Sequence, residues 1–447
     1  MAIKEIRRTP NAQVGHAGLA LIGIMVKICG LVDLAQELTL SERPQIQDWE
    51  IMTSLCGLLA QGKTDFDHIR EFKEDEFFKN ALGINRIPSA ETLRQRFQTL
   101  ALRTDLAKEL PKCSIALWKK TGMTPDIIEK NERKWVRIDI DTSIFDNQDT
   151  QKEGAEYTYN NRFGFAPIFA YLGGGWMVNA ALRPGNAHSY SAGTREFISE
   201  SLDYAKKMVG KTSLLAVMDS GFDSQDLIRS LYFRKGTDFI IKHNLRKESS
   251  EEWLKIAKEK AKEQEQVKTK RENGILYRGS ISKVVEGIKE PVRMVFEVTE
   301  IKRKNNRLLL VPEIRVNCFW TSLGLCEADV IKIYRERGTS EQYHSEFKSE
   351  MDMERLPSGK FKVNSAFLLL GMLVYNMLRI ISKDMVMAKA LGLRKASRRR
   401  LKTVIGSVLF MCGRITRHAR RYILQLSCPK SWYKFFRDLF SRLQEAY

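Results

Sequence analysis

The chain is short of several features, and each shortage excludes a class. Seven cysteines (Cys29, Cys56, Cys113, Cys318, Cys326, Cys412 and Cys428) are odd in number, widely spaced and contain no C-x-x-C pair, so neither a disulfide framework nor a zinc knuckle fits. Reduced thiols in a cytosol are the expectation. Only six histidines occur, and His188, His243, His344 and His418 lack the paired spacing of metal ligands. No G-x4-G-K-[ST] loop is present, which removes ATP-driven motion, and no serine is advertised with a base and an orienting acid. Long apolar runs are also scarce. The stretch Ala17 to Val26 is broken by Lys27 and lacks a small-residue cleavage site, so no signal peptide is read. Ala366 to Leu378 contains Asn376 and falls short of the roughly 20 residues a bilayer needs, so no membrane span is expected.

What is present describes a folded, basic protein. At 447 residues the prior is roughly three domains, and 43% apolar with 29% charged residues is an ordinary globular balance. The charge is not ordinary. Lysine and arginine number 74 against 54 acidic residues, a formal net charge of +20 that attracts polyanions, nucleic acid first.

Along the chain, apolar residues from Ala17 to about Leu110 recur at three and four (Leu19, Ile22, Val26; Leu93, Phe97, Leu100), which predicts several short helices. In Pro88-Ser89-Ala90-Glu91-Thr92, Ser89 is placed to cap a helix displaying Arg94, Gln95 and Arg96. That basic helix fits a DNA-recognition helix and equally a solvated face. At Trp135 the period becomes two: Val136, Ile138 and Ile140 alternate with Arg137, Asp139 and Asp141, predicting a strand. Runs at Ala166 to Leu172 and Trp176 to Leu182 flank Gly173-Gly174-Gly175, a hairpin turn. Alternating helix and strand follow: a helix from about Thr194, a strand from Ser213 ending at Asp219, a helix from about Ser224, and a strand at Asp238 to Lys242. The fold class predicted is α/β with a mixed sheet. Asn244 to Asn273, dense in Lys and Glu, reads as a solvated helix or linker. Ile275 to Ile281, Val292 to Val298, Leu308 to Val311 and Ile314 to Thr321 read as a β-rich insertion whose last strand rejoins the main sheet. Helices resume at Asp329 and again at Asn364. The last part is the most basic. Arg394 to Arg421 holds Arg398, Arg399 and Arg400 among ten cations, with Leu401, Val404, Ile405, Val408 and Leu409 on an apolar face, and it reads as a folded, phosphate-contacting helix pair.

Phosphoryl transfer by a nuclease-type site needs hard oxygen ligands for divalent ions, supplied by carboxylates from separate elements. Asp141 ends the first strand, Asp219 ends a later one ahead of Ser220-Gly221-Phe222, and Glu341 lies on a helix. Strand ends gather ligands in open α/β sheets. Among 54 acidic residues many trios exist, so the surroundings of Glu341 matter. Tyr334, Arg337, Glu341 and Lys348 fall within roughly 60° on one face of a continuous helix, although Gly338 interrupts that reading.

Here the sequence resembles a known family. Tyr-x2-Arg-x3-Glu-x6-Lys is the signature of bacterial cut-and-paste insertion-sequence transposases with an Asp-Asp-Glu triad, and a chance match over the chain's tyrosines is on the order of 10⁻³. Gly62 to Asp67, Pro88 to Phe97, Gln151 to Ala155, Leu182 to Asn186, Asp219 to Phe222, Leu356 to Ser358 through Asn376, and Gly413 to Arg421 are similar to other blocks of that family. The resemblance implies a ribonuclease-H-like core interrupted by a β-rich insertion, with helical N- and C-terminal regions. The expected division is 1–130 (helical, DNA-binding), 131–243 (core, first part), 244–313 (charged linker and insertion), 314–382 (core, second part) and 383–447 (basic, helical). It implies Asp141, Asp219 and Glu341 as catalytic metal ligands for two Mg²⁺ ions, with Mn²⁺ as a substitute. Asp139 is the alternative first ligand, or supports it from behind. Tyr334, Arg337 and Lys348 would hold the transposon-end backbone, with Arg94, Arg96, Arg398, Arg399 and Arg400 as further DNA contacts. Family members with an insertion stack one of its aromatics on a flipped base; Phe319 and Trp320 are candidates for that or for buried strand aromatics. The implied function is cleavage of inverted-repeat ends and strand transfer to target DNA, by a homodimer or higher oligomer in the cytoplasm, at the nucleoid, without a membrane. A catalytically silent inverted-repeat repressor or domesticated copy is the alternative.

Overall fold

The structure, a computed structural model, describes residues 13–38, 45–269, 272–305, 307–388, 391–418 and 421–447. The chain divides into two compact units: Met1–Met123 with Phe145–Ala155 and His344–Tyr447, and Thr124–Ile144 with Glu156–Tyr343.

The second unit is built on one mixed sheet. Its strands are β1 (Ile127–Lys130), β2 (Arg133–Thr142), β3 (Ile168–Leu172), β4 (Trp176–Ala181), β5 (Ser213–Met218), β6 (Thr237–Lys242), β7 (Ala261–Lys268), β8 (Glu272–Lys283), β9 (Val292–Lys304) and β10 (Arg307–Thr321). The order is β7-β8-β9-β10-β6-β5-β2-β3-β4, with β1 paired to β2. β2, β5 and β6 run parallel, and the β2-β3-β4 meander is antiparallel. Three antiparallel strands extended by two parallel ones are the ribonuclease-H-like layout expected from the resemblance. Helices α1 (Thr194–Val209) and α2 (Gln225–Tyr232) make the crossovers between parallel strands, as parallel pairing demands. Because the central strands are covered on both faces, Asp139 is buried along with Val136, Ile138 and Ile140, although its neighbours alternate. At the tight turn between β3 and β4, Gly174 and Gly175 both sit at φ +83°, where a side chain would be strained.

The insertion is longer than its apolar runs suggest. After α3 (Ser250–Lys260), held by buried Trp253 and Ala257, the Lys/Glu stretch becomes strand β7, which both-face exposure strips of any apolar alternation. The two runs expected around Pro312 form the single strand β10. The register slips opposite Lys302, and Pro312 falls in that irregular stretch, where no ladder bond is asked of it. The far end of β10 rejoins β6, with Ile240 opposite Thr321.

The first unit is mainly helical. Ser89 caps the helix Ala90–Arg103 as its spacing predicts, its Oγ accepting from the Thr92 amide at 3.1 Å. Phe361–Met387 is long and apolar enough to cross a bilayer, yet 94% of its apolar window is buried, which makes it the core helix of this unit. The C-terminal helix pair is corrected. Lys430–Ala446 is a helix, but Gly413–His418 and Arg421–Leu426 form an antiparallel hairpin, and only a short helical stretch, Leu401–Val404, precedes a π-turn at Ile405–Leu409. Ile415 between Arg414 and Thr416, and Tyr422, Leu424 and Leu426 set off by Ile423 and Gln425, make a period-two signal, with Ile415 opposite Leu424, that the density of arginine hides.

Candidate active site

β2 and β5 are parallel neighbours with Ile140 opposite Met218, so the next residue of each, Asp141 and Asp219, emerges at the same edge of the sheet. The local backbone fixes both carboxylates. Asp141 Oδ1 accepts from the Thr142 amide at 2.9 Å. Asp219 caps the short turn Ser220–Phe222, its Oδ1 accepting from the Gly221 amide at 2.9 Å. Ser189 links the two sides: its Oγ lies 3.4 Å from Thr142 Oγ1, and a Cβ on Gly221 would come within 2.5 Å of it.

One cation faces both aspartates. Arg337 Nη2 lies 2.7 Å from Asp141 Oδ2, with both side chains about 15% exposed. Burial works to lower the Arg337 pKa, but the charges of Asp141 and Asp219 outweigh it and hold it above its ordinary value. Asp219 is raised, first by burial and then by the like charge of Asp141, while Arg337 opposes the rise. Burial also pushes the Tyr334 phenol up to about 12, with the same arginine opposing. Tyr334 is braced by Phe319, ring centroids 4.6 Å apart. Asp139 is raised to about 6, chiefly by burial; its Oδ2 takes Arg137 Nε at 3.0 Å.

The expected helical face is not continuous. α4 (Glu327–Arg335) ends at Glu336, the Arg337 amide donates back to Tyr334 O, and α5 (Gly338–Ser345) starts afresh. α5 then runs away from the aspartate edge: Thr339 Oγ1 meets Arg137 Nη2 at 3.3 Å, and Tyr343 packs beside Gly175 at the opposite end of the sheet. Glu341 is exposed between them. Among the described residues no three His, Cys, Asp or Glu groups are gathered closely enough to hold a metal. Asp141 and Asp219 nonetheless have the chemistry a divalent ion takes: hard oxygens, side by side, at a sheet edge where each raises the cost of the other's charge. Lys348 belongs to the other unit, on the π-turn Glu346–Glu350, with its Nζ 2.9 Å from Glu354 Oε1.

Several expected DNA contacts are engaged within the first unit. Arg94 pairs with Glu91 at 2.5 Å, and Arg96 pairs with buried Asp48 at 2.5 Å. Arg398 Nη1 lies 2.7 Å from the fully buried Glu346, and Arg400 Nη2 lies 2.6 Å from Glu350. The Arg399 carbonyl accepts from Arg379 and Ser382.

Asp223, which sequence reasoning did not single out, gathers a cluster that braces the Asp219 turn. Asp223 accepts from Trp320 Nε1 at 3.0 Å and from the Asn244 amide at 2.9 Å, and lies 2.7 Å from His243 Nδ1. His243 Nε2 faces Glu248 Oε1 at 3.2 Å. Trp320 is thus a buried strand aromatic with its donor used. Only the position of Asp223, at the end of the Asp219-Ser220-Gly221-Phe222 block, hinted at this role.

No curated protein matches the chain. The family described as Transposase DDE domain group 1 matches residues 9–447. That match spans nearly the whole chain and both sheet-edge aspartates, and the chain belongs to this family of DDE transposases, enzymes of DNA phosphoryl transfer.

Proposed function

We propose that this transposase binds the inverted-repeat ends of an insertion sequence, cuts them and joins the freed ends to target DNA. The observation that carries the reading is the pairing of Asp141 and Asp219 at the ends of adjacent parallel strands, with Arg337 against them. These aspartates supply the oxygen ligands, and Glu341 is assigned as the third carboxylate on its place in Tyr334-x2-Arg337-x3-Glu341-x6-Lys348. Bound Mg²⁺, or Mn²⁺ in its place, supplies Lewis-acid activation of the attacking oxygen and charge stabilisation at the leaving oxygen. Asp139 supports the strand from behind through Arg137 and is not a ligand in this reading. Arg337 offers a guanidinium fork to a phosphate, Tyr334 a hydroxyl donor and Lys348 a point charge. Two ends must be cut together, so the working form is a homodimer or larger assembly on double-stranded DNA.

A second reading, a silent repeat-binding repressor, draws on one observation: Glu341 is exposed and apart from the aspartates. One experiment separates them. A labelled duplex carrying the gene's own flanking ends is incubated with Mg²⁺, Mn²⁺ or EDTA and either wild type or Glu341→Gln. Metal-dependent cutting and joining by wild type, with binding alone by the variant, supports the transposase. Binding without cutting by both proteins leaves the repressor.

A further inference from the structure

At the edge where Asp141 and Asp219 emerge, a second feature stands out that the reaction leaves unassigned. The short hairpin Glu156–Tyr157 and Phe163–Phe165 carries two of the most exposed aromatics of the protein, Tyr157 at 70% and Tyr159 at 77%. Large aromatics are ordinarily buried. Their backbone is stiff. Buried Thr158 accepts from the Asn161 amide through its carbonyl at 3.0 Å, donates through Oγ1 to the Arg162 carbonyl at 2.8 Å, and receives the Arg162 amide at 3.3 Å. Asn161 takes the left-handed φ of +59° that closes the turn. Tyr157 is held edge-on to Phe163, centroids 5.4 Å apart.

The hairpin is also pinned to the aspartate edge. Thr142 pairs with Ile168 and the Ser143 amide reaches Pro167 O, so the strand leaving the hairpin enters the sheet where β2 ends. Gly185 packs so tightly beneath it that a Cβ there would lie 2.1 Å from Glu156 O, and Asn186 donates through its side-chain Nδ2 to the Glu156 carboxylate.

We propose that Tyr157 and Tyr159 form a base-stacking contact for the DNA bound at this edge, resting on the assignment of DNA as substrate. The two tyrosines flank buried Thr158 in the chain and are followed by exposed Asn160, Asn161 and Arg162. Rigid aromatics beside amide and guanidinium groups suit a base face with a neighbouring phosphate. A stiff turn loses little entropy when it stacks.

The test uses the full chain and a duplex copied from the DNA flanking the gene. Tyr157→Ala with Tyr159→Ala is expected to lower affinity for that duplex by about tenfold. The paired Tyr→Phe variant, which keeps the rings, retains it. With unaltered protein, bromouracil placed near the cleaved end should photo-crosslink to the peptide holding Tyr157 and Tyr159, a readout independent of variant folding. Wild-type affinity in the Ala pair with no crosslink in that peptide overturns the stacking role alone. A change of oligomer size at unchanged affinity overturns it in favour of a protein contact. Failure of wild type to bind any duplex overturns the DNA reading itself.

Discussion

Arg337 sets its Nη2 2.7 Å from Asp141 Oδ2, and Asp219 is the second negative charge that its guanidinium feels most strongly. The arginine of the Tyr-x2-Arg-x3-Glu motif is therefore a counter-charge to the strand-end carboxylates. Arg337→Ala leaves two part-buried carboxylates facing each other and should lower stability at neutral pH by about 2 kcal/mol. Thermal melts with EDTA and with excess Mg²⁺ check this: the deficit should shrink with Mg²⁺ if the aspartates take a cation. An equal deficit in both buffers counts against that.

The two candidates for the first carboxylate separate on burial. Asp139 is 2% exposed and tied to Arg137, whereas Asp141 sits at the open edge. Asp141→Asn should reduce end cleavage by roughly 10³-fold or more, the scale of losing a group that acts at the transition state. Asp139→Asn should retain measurable cleavage with a lowered melting temperature. Cleavage rates that reverse this order would move the assignment to Asp139.

Glu327 begins α4 and is 5% exposed. Burial alone would raise its pKa, but hydrogen bonds from Lys262, Ser280 and Arg293 win and hold the carboxyl at about 2. A folded value below the unfolded one adds stability that is complete above about pH 4.5 and is lost as pH falls towards 2. Glu327→Gln should therefore cost about 3 kcal/mol at pH 7, and the gap to wild type should close in acid. Denaturant melts across pH read it directly; a gap that persists at low pH would assign the loss to packing.

Gly185 has no room for a side chain, since a Cβ there would stand within 2.4 Å of both Glu156 O and Gly164 O. Gly185→Ala must displace the hairpin that carries Tyr157 and Tyr159, at roughly 1–3 kcal/mol. Proteolysis within 156–163 should become faster than in wild type. An unchanged digestion pattern would show that the hairpin is held by other contacts.

Arg398, a candidate DNA contact by its sequence, neutralises Glu346, whose side chain is fully buried. Arg379 remains 3.7 Å from that carboxylate, so Arg398→Ala should cost about 2 kcal/mol rather than the larger loss of an orphaned charge. A melt reports it. If DNA affinity falls with no change in melting, Arg398 acts on the phosphate instead.

Much of the core is legible in the sequence because its signals are local. The period-two run at Trp135, the three-glycine turn and the alternation through Asp219 give β2 to β6 in order, and Ser89 gives its helix through a cap three residues from the amide it serves. The insertion is legible as β but not in its lengths, since β7 is exposed on both faces and carries no apolar alternation. The hairpin at 413–426 escapes a sequence reading because arginine density masks a short alternating run.

The site divides in the same way. The sequence by itself determined which residue types recur at which spacing, and so singled out Asp141, Asp219, Tyr334, Arg337 and Glu341 as candidates and pointed to the DDE transposases, the family whose match spans residues 9–447. Only the tertiary structure decided that Asp141 and Asp219 share an edge, because parallel pairing of β2 with β5 is a contact between residues far apart in the chain. It also decided that Glu341 is exposed past a helix break, that Asp139 is buried, and that Arg398 serves a carboxylate of its own chain. Spacing fixes the phase of a side chain only within one unbroken element. Which charges meet across elements depends on burial and packing, and those belong to the folded whole.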